Sequence, residues 1–228
     1  MQRSLNLLAT TFAVIAITLL SGKPAQADTF GFSFEDQSAT SLPRTGALTS
    51  LTMTNAFLTV VISRPGSSFD IISNAGVQAK PAEFGQRSLD PFFNVSNTPF
   101  IADFSTLVTS VSIDMGDYGE DTDTLILEAY SELGGTGTLL ASSTFVLTPG
   151  SSFSFSTLSV AADGIRSVRF IGGSPNSPNS VFYDNLTVTT HPANPVPEPA
   201  TLLLLSSGLV GIAASAKARR RARVSDET

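Results

Sequence analysis

Residues 111–130 read VSIDMGDYGEDTDTLILEAY and hold two alternating segments on either side of a polar stretch. In residues 111–115 and again in residues 125–129, an apolar side chain occupies every second position. A period of two residues is typical of a strand that buries one face, whereas an amphipathic helix repeats every 3.6 residues. Gly116 and Gly119 interrupt the chain between the two segments. This stretch therefore predicts two β-strands joined by an acidic loop.

The same signal recurs along the central part of the chain. Further segments rich in Val, Ile, Phe and Thr lie at residues 58–62, 144–147, 153–155, 167–171 and 181–188. Pro-Gly or Gly-Gly pairs follow several of them, and no sustained helical period separates them. Strands at this spacing are typical of antiparallel sandwiches. We predict an all-β fold with a single antiparallel β-sandwich, jelly-roll-like, over residues 28–190.

Residues 63–104 are less regular than the rest of this domain. They contain four prolines and the aromatic residues Phe69, Phe84, Phe92, Phe93 and Phe100. We predict strands interrupted by long loops here. The phenylalanines either pack in the core or line a ligand-facing loop, and the first alternative is the ordinary role of this residue.

The N-terminus has the composition of a secretory signal. Arg3 supplies a positive charge, residues 5–20 are largely apolar, and Ala25 and Ala27 offer the small side chains that a signal peptidase needs. We predict that residues 1–27 are a signal peptide and that the mature chain begins at Asp28. An uncleaved anchor is the alternative, but the apolar run is short for a membrane span.

A second apolar segment lies near the other end of the chain, at residues 201–216. It carries no charged residue and is followed by a basic stretch, residues 217–228. Flanking residues can lengthen such a run and long basic side chains can snorkel, so we predict a transmembrane helix. Positive residues favour the cytoplasm, which leaves the β domain outside. Residues 191–200 contain four prolines and predict a semi-rigid linker.

The tripeptide Pro197-Glu198-Pro199 directly precedes this apolar segment. The order of Pro-Glu-Pro, apolar helix and arginine cluster resembles the PEP-CTERM sorting signal of exported bacterial proteins. The resemblance implies processing by an exosortase in the inner membrane and a final place at the cell surface or in the extracellular space. It also implies association with exopolysaccharide or biofilm matrix. It concerns only the chain from residue 197 onward.

Composition excludes several classes of function. The chain has no cysteine and one histidine, His191, which excludes thiol chemistry, disulfides and histidine-rich metal sites. Residues 28–190 hold sixteen acidic side chains against six basic ones, a net charge of −10, which disfavours nucleic acid as a partner. No phosphate-loop, dinucleotide-binding or nucleophile-elbow motif occurs. We predict a non-catalytic surface or matrix protein. The alternatives are a carbohydrate-binding module for extracellular polysaccharide and a secreted hydrolase.

Two acidic features are candidate cation sites, and the first is the loop between the quoted strands. Its acids are Asp114, Asp117, Glu120, Asp121 and Asp123. Ca²⁺ takes six to eight oxygen ligands, which carboxylates and carbonyls on a turning backbone supply. The spacing does not match an EF-hand loop. The alternative is an acidic loop that is merely solvated.

The second feature is a pair of acids near the two ends of the domain. Glu35 follows Phe34, and Asp184 stands in the sequence FYDNL of the last predicted strand. These motifs resemble those of jelly-roll modules of the carbohydrate-binding and galactose-binding-like type. The resemblance implies that Glu35 and Asp184 meet at a structural Ca²⁺. The alternative is that Asp184 caps a strand or binds a basic partner.

Overall fold

The computed structural model describes residues 26–38, 46–73, 82–91, 96–119, 121–150, 152–191, 207–209 and 212. Ten strands lie in these ranges: β1 (Thr29–Phe32), β2 (Ser50–Thr54), β3 (Thr59–Ser63), β4 (Asp70–Ser73), β5 (Arg87–Asp90), β6 (Phe100–Asp117), β7 (Asp123–Glu132), β8 (Thr136–Leu147), β9 (Ser154–Gly173) and β10 (Phe182–Thr190). Two single-turn 3₁₀ helices, Ala82–Phe84 and Leu133–Gly135, lie among these strands. The fold is all-β, as the sequence predicts.

The chain divides into two units, of which Ala27–Pro192 is the β domain. The other unit combines residues 1–26 with residues 193–228. Its described residues 207–209 and 212 are helical and exposed. Within the described ranges, no helix has the length and apolar character needed to cross a membrane. The remainder of the predicted signal peptide, transmembrane segment and basic tail lies outside the described residues.

The two longest strands organise the β domain. β6 and β9 pair antiparallel with each other, with a register shift between Asp103 and Val108. On its other edge, β6 pairs with β3 over Ile101–Phe104 and with β10 from Val108 onward. Bulges bend a strand, and strands that bend in this way pass from one layer of a sandwich to the other.

Two layers follow from this bend. The first layer has the order β2-β3-β6-β9-β7-β8 and uses the first part of β6 with the last part of β9. The second has the order β4-β5-β10-β6-β9 and uses the other halves, with β1 also paired to β10. All of these pairings are antiparallel, so the described part of the domain is an antiparallel β-sandwich.

Aromatic side chains pack the two layers against each other. The rings of Phe100 and Phe170, from the first layer, lie 5.3 and 5.0 Å from the ring of Tyr183 in the second. The Tyr183 hydroxyl accepts a hydrogen bond from the Gly172 amide at 2.9 Å and donates to the Asn179 side chain. A buried phenol needs such partners. Burial raises the pKa of Tyr183 far above its ordinary value, so it remains a neutral donor.

The structure changes the predicted strand plan between residues 153 and 171. The segments at residues 153–155 and 167–171 are connected by one strand, β9, of 20 residues. Ala161 and Ile165 remain paired with β6 on either side of Gly164, whose φ of +81° absorbs the local irregularity. Residues 162–164 therefore form a bulge within a strand.

The region from residue 63 to residue 104 contains β4, β5 and one 3₁₀ turn. Phe69, Phe84 and Phe100 are all at most 1% exposed, so these three belong to the core. Phe92 and Phe93 lie outside the described residues. Arg64 is equally buried, and its guanidinium donates to the carbonyl oxygens of Ser68, Pro91, Ser96 and Thr98. This arginine therefore holds the loops of the region together.

Candidate functional site

The first predicted cation site joins the two ends of the domain. β1 pairs with β10 from Thr29 opposite Thr189 to Phe32 opposite Leu186. The turn that carries Glu35 follows β1 directly, and Asp184 lies on β10 just beyond the paired stretch. Pairing of the first and last strands thus brings together two acids that are distant in sequence.

Gly85 lies against both carboxylates. A Cβ atom on Gly85 would collide with Glu35 Oε1 and would lie 3.6 Å from Asp184 Oδ2. Gly85 also has a φ of +58°, a conformation that glycine adopts without strain. The structure therefore brings the predicted pair together at one point, with a glycine filling the space where a side chain would not fit.

Hydrogen bonds hold both members of this pair. Glu35 Oε1 accepts from the backbone amides of Gln86 and Arg87, at 2.7 and 3.1 Å. The Arg87 guanidinium donates to the backbone carbonyls of Glu35 and Gln37. Asp184 Oδ1 accepts from the amide of the next residue, Asn185, at 2.7 Å. Protein donors therefore already act on this site, and Arg87 places positive charge beside the turn that carries Glu35.

Asp114 belongs to the surroundings of this pair. It lies within β6, directly opposite Asp184. Its carboxylate accepts from Thr157 at 2.5 Å and from the Asn185 side chain at 2.9 Å. Asn185 also donates to the Glu83 carbonyl at 2.6 Å and has a φ of +52°. The sequence grouped Asp114 with the loop acids, whereas the structure gives it two side-chain donors on neighbouring strands.

The second candidate site is the remainder of the acidic loop. Asp117 ends β6, Asp123 begins β7, and Asp121 lies between them. One carboxylate oxygen from each lies within 4.8 Å of the others, an arrangement that can hold a metal ion. Across the described ranges, no other set of three His, Cys, Asp or Glu side chains comes this close. Glu120 lies outside the described residues.

Asp123 is the unusual member of this cluster. Its side chain is 0% exposed, and neither carboxylate oxygen has a hydrogen-bond partner. Burial, followed by the charges of Asp117 and Asp121, raises the pKa of Asp123 to about 7. A buried carboxylate without donors is strongly disfavoured in its charged form. The site thus concentrates negative charge at a position that lacks compensation from the protein.

The sequence contains a signal for this burial that the prediction did not use. Leu125, Leu127 and Ala129 face inward on β7, and all three are 0% exposed. Asp123 continues the same phase by two residues, so strand periodicity places it on the core face. By contrast, Gly85, Arg87 and Asn185 show no pattern that would have placed them at the chain-end pair.

A third feature is a polar groove beside β1 and β2, with a volume of about 340 Å³. Its polar lining includes Asp36, Gln37 and Asn55. The Phe57 amide donates to Asn55 Oδ1 at 2.9 Å, and the Phe57 ring stacks on Phe30 with centroids 5.8 Å apart. Phe57 is 71% exposed. An exposed aromatic ring therefore lies two residues after Asn55, one of the polar residues that line the groove.

The two predicted processing signals lie largely beyond the described residues. Ala25 and the tripeptide Pro197-Glu198-Pro199 fall outside them, while Ala27 is partly exposed. A family model described as the PEP-CTERM protein-sorting motif matches residues 195–221. The chain carries a PEP-CTERM sorting motif. The PEP-CTERM match includes the predicted tripeptide, the apolar segment and the first arginines of the tail, and it indicates an exported protein with a membrane-anchored C-terminal sorting signal.

Solved structures similar to the chain include two adhesin domains. The K2 cleaved adhesin domain of Lys-gingipain is 14% identical, with 72% of this chain and 98% of that domain covered, at a TM-score of 0.45. The K1 domain of the same protein, from Porphyromonas gingivalis, is 12% identical, with 72% of this chain and 99% of that domain covered, at a TM-score of 0.43. A family 29 carbohydrate-binding module complexed with cellulohexaose is 13% identical, with 75% of this chain and 84% of that module covered, at a TM-score of 0.28. A comparison with curated proteins finds no match.

Proposed function

We propose that residues 28–190 act as a non-catalytic β-sandwich module at the cell surface or in the extracellular matrix. The observation that carries this proposal is the PEP-CTERM motif at residues 195–221, in a chain whose first 27 residues have the composition of a secretory signal. Signal peptidase and an exosortase are the processing partners that follow from it. The net charge of −10 over the domain supports a soluble extracellular role.

The composition also supports a non-catalytic role. General acid–base and nucleophilic catalysis depend most often on histidine, cysteine or an activated serine. The single histidine, His191, lies just after β10, at the start of the proline-rich linker. Acidic residues are numerous, but the two acidic sites described above have the character of cation or structural sites.

The sorting proposal is tested by Glu198→Ala in the native host. We expect the variant to accumulate in the inner membrane with its C-terminal segment attached, because the processing enzyme no longer recognises the tripeptide. Glu227→Ala, also in the C-terminal region but outside the matched residues, is the control and is processed normally. Mass spectrometry of the released protein measures both ends and is expected to find Asp28 at the N-terminus. Normal release of Glu198→Ala would contradict the proposal.

The second candidate function is recognition of extracellular polysaccharide. It is favoured by the polar groove that Asp36, Gln37 and Asn55 line, and by the exposed ring of Phe57, whose backbone amide donates to Asn55 Oδ1. An aromatic ring provides an apolar platform for one face of a sugar ring, and convergent polar groups fix its orientation through hydrogen bonds.

Binding to the exopolysaccharide of the host tests this second candidate. Phe57→Ala removes most of the exposed platform and is expected to abolish retardation in affinity electrophoresis. Phe145→Ala removes another exposed phenylalanine, on β8, and is the control; Phe145 is 47% exposed, against 71% for Phe57. Equal retardation of the two variants, or none with the unchanged protein, would remove this candidate.

The structural Ca²⁺ between Glu35 and Asp184 stays a prediction. The closeness of the two carboxylates around Gly85 supports it. A cation there would tie the first strand to the last and would offset part of the negative charge of the domain. The hydrogen bonds to Glu35 and Asp184 provide an alternative way of holding the same pair.

A further inference from the structure

The acidic loop between β6 and β7 contains a candidate metal site that differs from the chain-end pair. We propose that Asp117, Asp121 and Asp123 bind Ca²⁺ and that the ion fixes the passage of the chain from one layer of the sandwich to the other. The proposal concerns residues within the β domain and does not depend on how the chain is sorted.

The geometry of the three carboxylates fits one ion. Oxygen ligands lie 2.3–2.6 Å from Ca²⁺, so two oxygens on the same ion are separated by at most about 5 Å. The three aspartate oxygens lie within 4.8 Å of one another, inside this limit. A single cation can therefore contact all three without a change in the course of the strands.

Asp123 provides an independent reason to place a cation here. Its carboxylate is 0% exposed, has no hydrogen-bond partner on either oxygen, and belongs to the cluster. Buried charges in proteins are paired with an opposite charge or coordinate a metal. Proximity of two further carboxylates makes the charged form still less favourable, and the raised pKa of Asp123 reflects both effects. A divalent cation supplies the missing compensation.

The donor set selects the class of metal. Three carboxylates with no nitrogen or sulfur ligand favour a hard cation. Asp123 is buried, Asp117 is half-buried and Asp121 is exposed, so the site opens toward solvent and leaves positions for water. Ca²⁺ accepts such mixed and irregular coordination, whereas Mg²⁺ requires near-ideal octahedral geometry.

A hydrogen bond and strand pairing fix the position of the backbone around the loop. The Gly150 amide donates to the Gly119 carbonyl at 2.7 Å, which ties the loop to the segment after β8. Asp117 is paired with Ser154 in the second layer, and Asp123 is paired with Leu147 in the first. An ion held by both aspartates would therefore connect the two layers at the loop between β6 and β7.

Calorimetric titration of the full-length chain in detergent with CaCl₂ tests the site. We expect one saturable Ca²⁺-binding event in the unchanged protein and a loss of roughly tenfold or more in affinity for Asp121→Asn, because ligand charge sets Ca²⁺ affinity. Asp121 is exposed, so this variant is expected to fold normally. Asp163→Asn removes an exposed acid of β9 and is the matched control, which should bind as the unchanged protein does.

Two further variants make the outcome decisive. Asp123→Asn should lose binding in the same way, and Asp184→Asn, at the chain-end pair, should retain it. No binding by the unchanged protein, or equal affinity in Asp121→Asn and Asp163→Asn, would overturn the proposal. Loss of binding in Asp184→Asn alone would also overturn it and would assign the ion to the chain-end pair.

Discussion

The two acidic sites of the β domain differ in how their charges are compensated. At the chain-end pair, Glu35 accepts hydrogen bonds from two backbone amides, and Asp184 accepts one from a third. At the loop cluster, Asp123 is fully buried with no donor to either oxygen. Protein donors therefore offset part of the negative charge at the chain-end pair. At the loop cluster, neither solvent nor a protein hydrogen-bond donor reaches the Asp123 carboxylate.

The two sites also differ in how the fold assembles them. Glu35 and Asp184 meet because β1 and β10 are paired, which is a long-range event. Asp117, Asp121 and Asp123 are neighbours in sequence, and their arrangement depends on one connection between strands. We therefore expect substitutions at the chain-end pair to affect global stability, and substitutions at the loop to affect the response to calcium.

The largest effect is expected from Gly85→Ala. The new Cβ would collide with Glu35 Oε1, and the positive φ of Gly85 would be strained, so we expect a loss of about 3 kcal/mol in the free energy of unfolding. Gly66→Ala is the control, because Gly66 has a φ of +68° with nothing within 4 Å of the new atom, and we expect about 1 kcal/mol there. Urea unfolding measures both, and equal losses would show that the contact with Glu35 has no energetic role.

The response to chelator separates the two sites. With free Ca²⁺ at a hundred times Kd, removal of the ion lowers the free energy of unfolding by about 2.7 kcal/mol. In a chain of this size, that corresponds to a fall of about 5–10 °C in Tm. We expect Asp184→Ala to keep this fall and Asp121→Ala to lose it. The opposite pattern in thermal scans would assign the ion to Glu35 and Asp184, as the resemblance to jelly-roll modules implies.

A gain in stability is expected from Asp123→Asn when calcium is absent. The amide is nearly isosteric with the carboxylate and removes a buried charge, so we expect the chelated variant to exceed the chelated unchanged protein by about 1–2 kcal/mol. With calcium added, this order should reverse. Asp163→Asn should change neither state. A chelated Asp123→Asn protein that is less stable than its parent would show that the carboxylate has a structural partner.

The smallest effect is expected from Arg87→Met. This change removes the hydrogen bonds to the Glu35 and Gln37 carbonyls while keeping an apolar stem, and we expect a loss of about 1 kcal/mol. Arg166→Met, at a half-buried arginine of β9, is the matched control. Urea unfolding with and without calcium measures the effect. A calcium response that grows in Arg87→Met would indicate that the guanidinium competes with a cation at the chain-end pair.

Local periodicity was sufficient to predict most of the strands. Alternation at residues 111–115 and 125–129 lies within β6 and β7, since one face of each strand must be buried. The same alternation predicts that Asp123 is buried, because it lies on the same face of β7 as Leu125. The bend of β6 and β9 between layers was not predicted, because polar residues such as Asp163 look the same in a bulge as in a loop.

The sequence by itself determined the all-β class, the C-terminal sorting motif and the acidic character of the domain, because these depend on composition, order and short-range pattern. Only the tertiary structure decided which acids have donors. The amides of Gln86 and Arg87 reach Glu35 from a distant part of the chain, and Asp123 is fully buried in the folded domain. Solvation and hydrogen bonding of a carboxylate are set by groups far away in sequence, and the spacing of residues along the chain does not predict which groups these are.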